Sequence, residues 1–140
     1  MKKTIITAIA LLPLGSLWAM DVQPVPTAEQ LPVAQITENG KSYLVDQSGF
    51  SLYRFDKDSQ GKSACYAECA KNWPPVLANA SQAKAGVGKA ADAGFALLLR
   101  DDGQYQLSYR GQPLYRWVKD SAPGQSSGDG VKNVWHRVQL

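Results

Sequence analysis

Nearly the same seven residues occur twice in this chain: LYRFDKD begins at Leu52, and LYRWVKD begins at Leu114, 62 residues later. The same separation relates a glycine, a tryptophan and a valine of residues 49–76 to identical residues within 111–138. One register without a gap therefore joins the two segments. We interpret the chain as an internal duplication, which limits the fold to architectures that two copies of one small unit can build.

Each copy begins with a predicted β-hairpin. Asn39-Gly40 and Asp102-Gly103 separate apolar runs, with a slip of one residue relative to the downstream register. Such dipeptides are strong hairpin signals, because both central residues of the turn need positive φ. Apolar alternation predicts four strands in each copy, at residues 33–37, 42–46, 51–55 and near 73–77, and at residues 95–100, 105–110, 114–118 and 134–138.

The start of the chain has the pattern of a secretory signal peptide. Residues 1–19 combine two lysines, a short apolar run and a small residue, Ala19, at the predicted cleavage point. The apolar run is shorter than the roughly 20 residues that span a bilayer. No cysteine lies near the cleavage point, so we expect a soluble mature protein without a membrane anchor, exported to the periplasm or secreted.

Two further segments lie outside the repeats. Residues 20–32 are rich in proline and predict an extended, mobile leader. Residues 78–94 are rich in alanine, glycine and lysine and form the predicted linker, with a short helix at residues 81–85 that Gly86 ends.

We therefore predict an all-β fold, in which two pseudo-symmetric repeats of short antiparallel strands pack into one small domain. Repeat 1 covers residues 33–77 and repeat 2 covers residues 95–140. A unit of this size cannot bury its apolar face alone, so the repeats must pack together. The unbroken apolar run at residues 95–99 predicts a central strand buried on both faces. The predicted shared core consists of Tyr53, Phe55, Trp73, Tyr115, Trp117, Trp135, Leu97, Leu98 and Leu99.

Charge argues against two classes of partner. Removal of residues 1–19 takes away Lys2 and Lys3, and the formal net charge falls from +3 to +1. The remaining chain has no cluster of lysine and arginine residues that would track phosphates. We therefore expect no nucleic-acid partner and no binding to an anionic membrane surface.

The repeated motif Tyr-x-aromatic-x-x-Asp is the main candidate site. Two residues apart on a strand, its rings share one face, and its aspartate follows the strand at a turn. One interpretation is structural, with the rings in a core and the carboxylate capping backbone N–H groups. The other is an aromatic-walled groove with an acidic rim that binds a cation or an organic ligand. The tentative binding residues are Tyr53, Phe55, Asp58, Tyr115, Trp117 and Asp120.

The two cysteines, Cys65 and Cys69, predict a disulfide, because an oxidising compartment favours pairing. The loop is short, so the expected stabilisation is at the low end of ~2–4 kcal/mol. The alternative is a metal or redox site. Copper(I) prefers thiolates together with methionine or histidine, and the mature chain offers Met20 and His136.

These motifs resemble a bacterial and archaeal family known as the secreted-repeat or predicted-lipoprotein family. The resemblance rests on the paired Tyr-x-aromatic-x-x-Asp motif, on GKSACYAECAKNWPP at residues 61–75 and on Gly111-x-Pro113-Leu114-Tyr115. It extends over roughly residues 40–138. It implies a small exported β domain at the cell surface or in the periplasm, and it implies no chemistry. Many relatives look lipid-anchored, whereas this chain has no lipobox cysteine.

For function, we predict a non-catalytic periplasmic binding or interaction module, whose partner is an unknown small ligand or a cell-envelope protein. The alternative is a metal or redox accessory protein that uses Cys65 and Cys69. A hydrolase built around His136 is the third hypothesis, but a single histidine on a strand is more often structural. We expect no enzyme activity and no cofactor, since the sequence contains neither a Gly-rich phosphate loop nor a His-rich metal string.

Overall fold

The computed structural model describes residues 20–25, 28 and 31–140, and the predicted signal peptide, residues 1–19, lies outside the described residues. The described chain contains two short α-helices, α1 (Glu68–Asn72) and α2 (Ala80–Ala85), and 3-10 helices at Gly88–Ala93 and Val131–Asn133. Its strands are β1 (Gln23–Pro24), β2 (Ala34–Glu38), β3 (Lys41–Val45), β4 (Tyr53–Phe55), β5 (Phe95–Leu99), β6 (Tyr105–Tyr109), β7 (Gln112–Pro113) and β8 (Trp135–Arg137).

Within the described residues, the strands form three antiparallel sheets with the orders β1-β2-β3, β4-β8 and β5-β6-β7. The first sheet comes from the leader and repeat 1, and the third from repeat 2. The middle sheet pairs β4 of repeat 1 with β8 of repeat 2. The predicted all-β domain of two pseudo-symmetric repeats is confirmed.

The first predicted hairpin turn is confirmed and the second is wrong in type. Asn39 and Gly40 have φ of 49° and 76°, as a two-residue turn between β2 and β3 requires. The loop between β5 and β6 holds three residues, 101–103, between the bonded pair Arg100 and Gln104. Of these three only Gly103, at 84°, has positive φ. The slip relative to the downstream register arises after this turn, because Gly49 follows Gly40 by nine positions whereas Gly111 follows Gly103 by eight.

The last segment of each repeat lies inside the other repeat. The Val138 carbonyl accepts from the Leu44 N–H at 2.9 Å, and the Val138 N–H donates to the Leu52 carbonyl at 3.1 Å. Val76 of repeat 1 bonds in the same way between β6 and the segment that follows β7, at 2.8 and 2.9 Å. The repeats are therefore interleaved, and neither forms a separate half of the domain.

Two predicted strands are reduced to single bridges. In the segment at 73–77, Pro75 pairs with Tyr115 and Leu77 pairs with Gln106. The segment at 114–118 has no ladder of its own, and its Tyr115 pairs with both Pro75 and Tyr53. A proline lacks the backbone N–H that a continuous ladder needs, so consecutive prolines at 74 and 75 interrupt it.

The prediction of a doubly buried strand at residues 95–99 is wrong. β5 pairs with β6 alone and is an edge strand of its sheet. Leu98 is buried and Leu97 is half-buried, but Leu99 is 61% exposed and does not belong to the core. A continuous apolar run predicts burial only if neighbouring elements cover both faces, and here neither face is covered along its whole length, since Ala96 on one side and Leu99 on the other are exposed.

The leader packs against the domain, contrary to the prediction that it is mobile. Gln23 and Pro24 pair with β2 as an edge strand, where the missing N–H of proline breaks no internal ladder. Val25, Ala28 and Leu31 are buried in the largest core cluster. Burial of these apolar side chains opposes the entropy cost of ordering the segment.

The linker helix is confirmed. α2 begins after Asn79, whose side chain accepts from the Gln82 N–H at 2.8 Å, and it ends at Gly86 with φ of 72°. The 3-10 helix that follows was not predicted. Its Ala90 is buried, so the linker also covers part of the core.

Candidate binding site at the junction of the repeats

Four aromatic rings form a continuous stack at the junction of the repeats, which we call the aromatic stack. Phe55 lies on Trp135, with ring centroids 4.1 Å apart and planes within 8°. Trp135 lies on Trp73 at 3.8 Å and 3°, and Trp73 lies on Trp117 at 3.9 Å and 25°. The rings alternate between repeat 1 and repeat 2, and the pairing of β4 with β8 places Phe55 directly opposite Trp135.

Two tyrosines contact the inner rings of the aromatic stack edge-on. Tyr53 meets Trp73 edge-on, with centroids 5.4 Å apart, and Tyr115 meets Trp135 in the same way at 5.2 Å. Tyr53 and Tyr115 also exchange both backbone hydrogen bonds, at 2.8 and 2.9 Å. This reciprocal pair marks the pseudo-twofold axis, and edge-to-face contacts of this kind each contribute about 0.5–1.5 kcal/mol beyond area burial.

Each motif aspartate binds the tyrosine of the other repeat. The Tyr53 hydroxyl donates to Asp120 Oδ2 at 2.5 Å, and the Tyr115 hydroxyl donates to Asp58 Oδ2 at 2.7 Å. The second oxygen of each carboxylate accepts a backbone N–H from its own loop, from Ala64 or from Ser127. The motif therefore joins the repeats as well as closing a turn.

Burial changes the acidity of these groups. Burial, followed by the hydrogen bond to Asp120, raises the pKa of the Tyr53 hydroxyl far above its ordinary value. Burial is also the main cause that raises the pKa of Tyr115. Burial raises the pKa of Asp58 above the ordinary value, although the hydrogen bond from Tyr115 opposes this change. Both tyrosines therefore remain hydroxyl donors at neutral pH.

The six predicted binding residues lie together but differ in accessibility. Tyr53 and Tyr115 are 0% exposed, and Asp120 is also buried. Phe55 and Trp117, the end rings of the aromatic stack, are half-buried. They line a cavity of about 360 Å³, which we call the aromatic cavity. A ligand in this cavity would contact the end rings, whereas the tyrosines are enclosed.

Lysines, and not aspartates, stand at the rim of the aromatic cavity. Lys57 and Lys132 line it together with Glu68, and the Lys119 ammonium lies 5.6 Å from the centroid of the Trp117 ring. The acidic rim that we considered from sequence does not form, because the carboxylates of both motifs turn inward to the tyrosines. Lys57 and Lys119 occupy the same motif position, so the repeated lysine was a signal that our sequence reasoning missed.

The backbone is strained beside the aromatic cavity. Lys132, which lines it, and the adjacent Asn133 have φ of 51° and 58°. Ala67, which precedes the lining residue Glu68, has φ of 52° and ψ of −123°. Such conformations cost of order 1–3 kcal/mol for residues other than glycine, and they cluster at functional sites.

The predicted disulfide joins Cys65 and Cys69, whose Cα atoms are 5.2 Å apart. Cys65 is buried, and Cys69 lines the aromatic cavity at the start of α1. The disulfide therefore restrains the wall of the cavity that carries Glu68. In the part of the chain that the structure describes, no group of three or more His, Cys, Asp or Glu side chains is arranged to hold a metal ion.

His136 has a carboxylate partner that the sequence did not reveal. Its Nε2 atom lies 2.8 Å from Asp56 Oδ2, and Arg54 donates to Asp56 Oδ1 at 2.7 Å. The hydrogen bond with His136, helped by Arg54, lowers the pKa of Asp56. The pairing of β4 with β8 brings these groups together across 80 residues of sequence, a distance that no local motif encodes.

The fold and the site define a class of protein: a small all-β domain of two interleaved repeats, with aromatic rings stacked across its pseudo-twofold axis. A family profile described as a secreted repeat of unknown function matches residues 34–77 and again residues 96–139. The two matches cover more than half of the chain, and the chain belongs to this family. The resemblance drawn from the motifs is thereby confirmed.

Other comparisons add no relative: no curated protein and no solved structure matches the chain. Among the described residues, no helix combines the length and the apolar composition needed to cross a bilayer.

Proposed function

We propose that this member of a secreted family is a non-catalytic binding module of the periplasm or cell envelope, which holds a small organic ligand in the aromatic cavity. The observation that carries the proposal is the aromatic stack, whose half-buried end rings, Phe55 and Trp117, line a cavity of about 360 Å³. That volume is within the range of ligand pockets, which are commonly lined by aromatic side chains and a few polar groups.

The lining favours a ligand with a planar, apolar body and a neutral or negative substituent. Phe55 and Trp117, together with the inner rings Trp73 and Trp135, offer apolar ring edges to a ligand. Lys57 and Lys132 provide two positive charges against the single negative charge of Glu68. A cationic ligand would meet net repulsion at this rim, so the charges disfavour the cation that the motif alone suggested.

The acid–base groups near the stack support a role in binding rather than catalysis. The Tyr53 and Tyr115 hydroxyls are buried, bonded to aspartates and raised in pKa, so they do not supply a base at neutral pH. His136 pairs with Asp56 and is absent from the lining of the aromatic cavity. The alternative role as a metal or redox accessory gains no supporting feature, since its cysteines are joined in the disulfide.

Two aromatic probes of opposite charge test the proposal. We expect 2-naphthoate to bind and to quench tryptophan fluorescence, and 2-naphthylmethylammonium to bind at least fivefold more weakly. Trp117→Leu should weaken naphthoate binding at least fivefold, since a contact between two aromatic rings is worth about 1 kcal/mol. Tyr105→Leu is the matched control, because Tyr105 is 40% exposed and lies outside the cavity.

Equal affinity of naphthoate for the wild type and Trp117→Leu would contradict the proposal. Native mass spectrometry of protein isolated from its own cell envelope provides the second arm. We expect a co-purifying organic molecule that the Trp117→Leu protein no longer carries.

A further inference from the structure

β5 has one edge that no described strand covers. At the end of the β5–β6 ladder, the Arg100 N–H donates to the Gln104 carbonyl at 2.8 Å. Bonded and non-bonded pairs alternate in an antiparallel sheet, so the odd-numbered residues of β5 direct their backbone N–H and C=O groups away from β6. Those residues are Phe95, Leu97 and Leu99, and we call their outward backbone groups the β5 edge. No described residue forms a hydrogen bond with the β5 edge.

The β5 edge lacks the features that usually prevent strand edges from pairing with other chains. Natural edges are commonly protected by proline, by charged side chains or by a covering segment. The outer strands β1 and β7 contain Pro24 and Pro113, whereas β5 has the sequence FALLL, with neither proline nor charge. Its side chains also meet solvent, since Leu99 is 61% exposed and Ala96 is exposed. A strand of this kind is suited to the addition of another strand.

The side chains of β5 and β6 make this edge complementary to itself. An antiparallel pairing centred on Leu97 places Leu97 opposite its own counterpart in a second copy, and Leu99 opposite Phe95 of that copy. Within one copy, Leu99 lies opposite Tyr105 on β6. Phe95 lies opposite Tyr109, with ring centroids 5.1 Å apart. The exposed pair formed by Leu99 and Tyr105 therefore continues into the aromatic pair of the second copy, on the same face of one continuous sheet.

Unpaired charges at the two ends of the β5–β6 hairpin favour the same partner. At the loop end, Asp102 pairs with Arg100 at 3.3 Å, and Asp101 is exposed without an ion pair to any described residue. At the opposite end, Arg110 is exposed and likewise forms no ion pair within the described chain. The lysine and the aspartate of the neighbouring 3-10 helix, Gly88–Ala93, offset each other. Antiparallel pairing brings the negative end of each copy to the positive end of the other, which is electrostatically complementary.

We propose that the β5 edge binds the same edge of a second copy of this chain and forms a homodimer in which the two β5-β6-β7 sheets join. The copies run antiparallel about Leu97, and three residue pairs each exchange two backbone hydrogen bonds. A twofold contact of this kind uses the same surface on both copies, so it closes as a dimer and does not extend into a fibre. No residue of the β5 edge lines the aromatic cavity, and the dimer does not depend on the function proposed for that cavity.

Sedimentation equilibrium of the purified protein over a range of concentrations tests the dimer. We expect a reversible equilibrium between monomer and dimer for the wild type. Leu99→Lys should weaken the dimer about tenfold, because it replaces an apolar contact with Phe95 of the second copy by an unpaired charge. Val118→Lys is the matched control and should keep wild-type affinity. Val118 is 51% exposed and lies outside the β5-β6-β7 sheet, and the substitution makes the same change of charge.

An exchange of charge at Leu97 tests the register. Leu97 is half-buried and faces its own counterpart across the twofold axis. Leu97→Lys and Leu97→Glu should each be monomeric alone, because like charges directly opposite each other repel. An equimolar mixture of the two variants should form a mixed dimer, since opposite charges then face each other. As a second measurement, amide hydrogen exchange of Phe95, Leu97 and Leu99 in the wild type should be fast in dilute solution and slow at high concentration.

A wild-type protein that stays monomeric up to millimolar concentration would overturn the proposal, and so would equal dimer affinity of Leu99→Lys and Val118→Lys. Dimerisation without slower exchange of the three β5 amides would also overturn it, because the contact would then lie elsewhere on the surface. Slower exchange of these amides in a monomer, on addition of an extended apolar peptide, would assign the edge to another protein and overturn the homodimer. If the Leu97 variants fail to fold, the exposed Leu99 still decides the question.

Discussion

At the scale of single residues, the repeated motif forms reciprocal hydrogen bonds between the two copies. Each Tyr hydroxyl donates to the Asp of the other repeat, and each Asp also caps its own loop. A charged acceptor thus stays buried with its partners satisfied, which the low dielectric of the core requires. The motif residues are conserved between the copies in this chain because each completes the contacts of the other copy.

Removal of one such hydroxyl should destabilise the fold. We expect Tyr53→Phe to lower the free energy of unfolding by about 1–3 kcal/mol, because buried Asp120 loses the hydrogen bond to its Oδ2 atom. Urea unfolding at neutral pH measures the change. Tyr105→Phe is the control, and because Tyr105 is 40% exposed we expect a change within about 0.5 kcal/mol. A Tyr53→Phe protein as stable as the wild type would show that the pair contributes nothing.

Two nearby aspartates should titrate on opposite sides of the ordinary value of 3.8. Burial raises the pKa of Asp58, whereas the hydrogen bond with His136 lowers the pKa of Asp56. The contribution of Asp56 to stability is therefore present above pH 3.8 and is lost as the pH falls through its folded-state pKa. For Asp58 the sign is reversed: folding favours its protonated form, and that contribution is lost as the pH rises through its folded-state pKa.

Carboxyl ¹³C shifts followed from pH 7 to pH 2 measure both pKa values. As the pH falls, Asp58 should protonate first and Asp56 last. The reverse order would contradict the assigned hydrogen bonds. An Asp56→Asn protein serves as the assignment control and should leave the Asp58 titration in place.

At the scale of elements, the loop before β8 is shaped by close contact with the aromatic rings. Gly128 donates its N–H to the Tyr53 hydroxyl at 3.2 Å. A Cβ atom there would lie 2.8 Å from Trp73 Cη2 and 2.9 Å from two carbons of the Tyr53 ring. The loop therefore needs glycine at this position because of the approach to the rings, since φ of Gly128 is not positive.

We expect Gly128→Ala to destabilise the protein by about 1–3 kcal/mol, the usual cost of overpacking a tight site. The near-UV circular dichroism of the stacked tryptophans should also change, because Trp73 must shift. Gly130→Ala is the matched control. Its Cβ meets nothing within 4 Å, and its φ of 84° costs about 1 kcal/mol without moving the rings. An unchanged near-UV spectrum in Gly128→Ala would refute contact of the new Cβ atom with the rings as the cause of the destabilisation.

At the scale of the whole molecule, interleaving makes the two repeats one cooperative unit. Val76 bonds within repeat 2, Val138 bonds within repeat 1, and the aromatic stack alternates between the copies. Each repeat alone would leave its sheet without a neighbouring segment and its rings half-covered. A small sheet without such cover is marginal in water.

Expression of the chain as two fragments, divided in the linker, tests whether the two repeats fold as one cooperative unit. We expect residues 20–85 and residues 86–140, expressed separately, to be unfolded by far-UV circular dichroism and ¹H–¹⁵N NMR. Mixed at high concentration, they should recover the spectrum of the intact chain, because every contact between the repeats is non-covalent among the described residues. Cooperative unfolding of either fragment alone would contradict interleaving as the source of stability.

Much of the architecture could be predicted from local patterns. The 62-residue register comes from comparison of the two copies, and the family profile matches them at that separation. The Asn39-Gly40 turn and the helix before Gly86 depend on neighbouring residues, and both are confirmed. The candidate site was predicted in part. Spacing along a strand placed Phe55 on one face, but nothing local indicates that the aspartates turn inward and leave lysines at the rim.

The amino-acid sequence by itself determined that this protein is a duplicated β domain with paired aromatic residues and a short disulfide loop, since repeat spacing and turn chemistry act over a few residues. Only the tertiary structure decided that the copies exchange their last segments, that β5 is an edge strand and that each motif aspartate turns inward to the tyrosine of the other repeat. These features depend on which distant segment covers each backbone edge and each side chain, and that choice is made by packing of the whole chain.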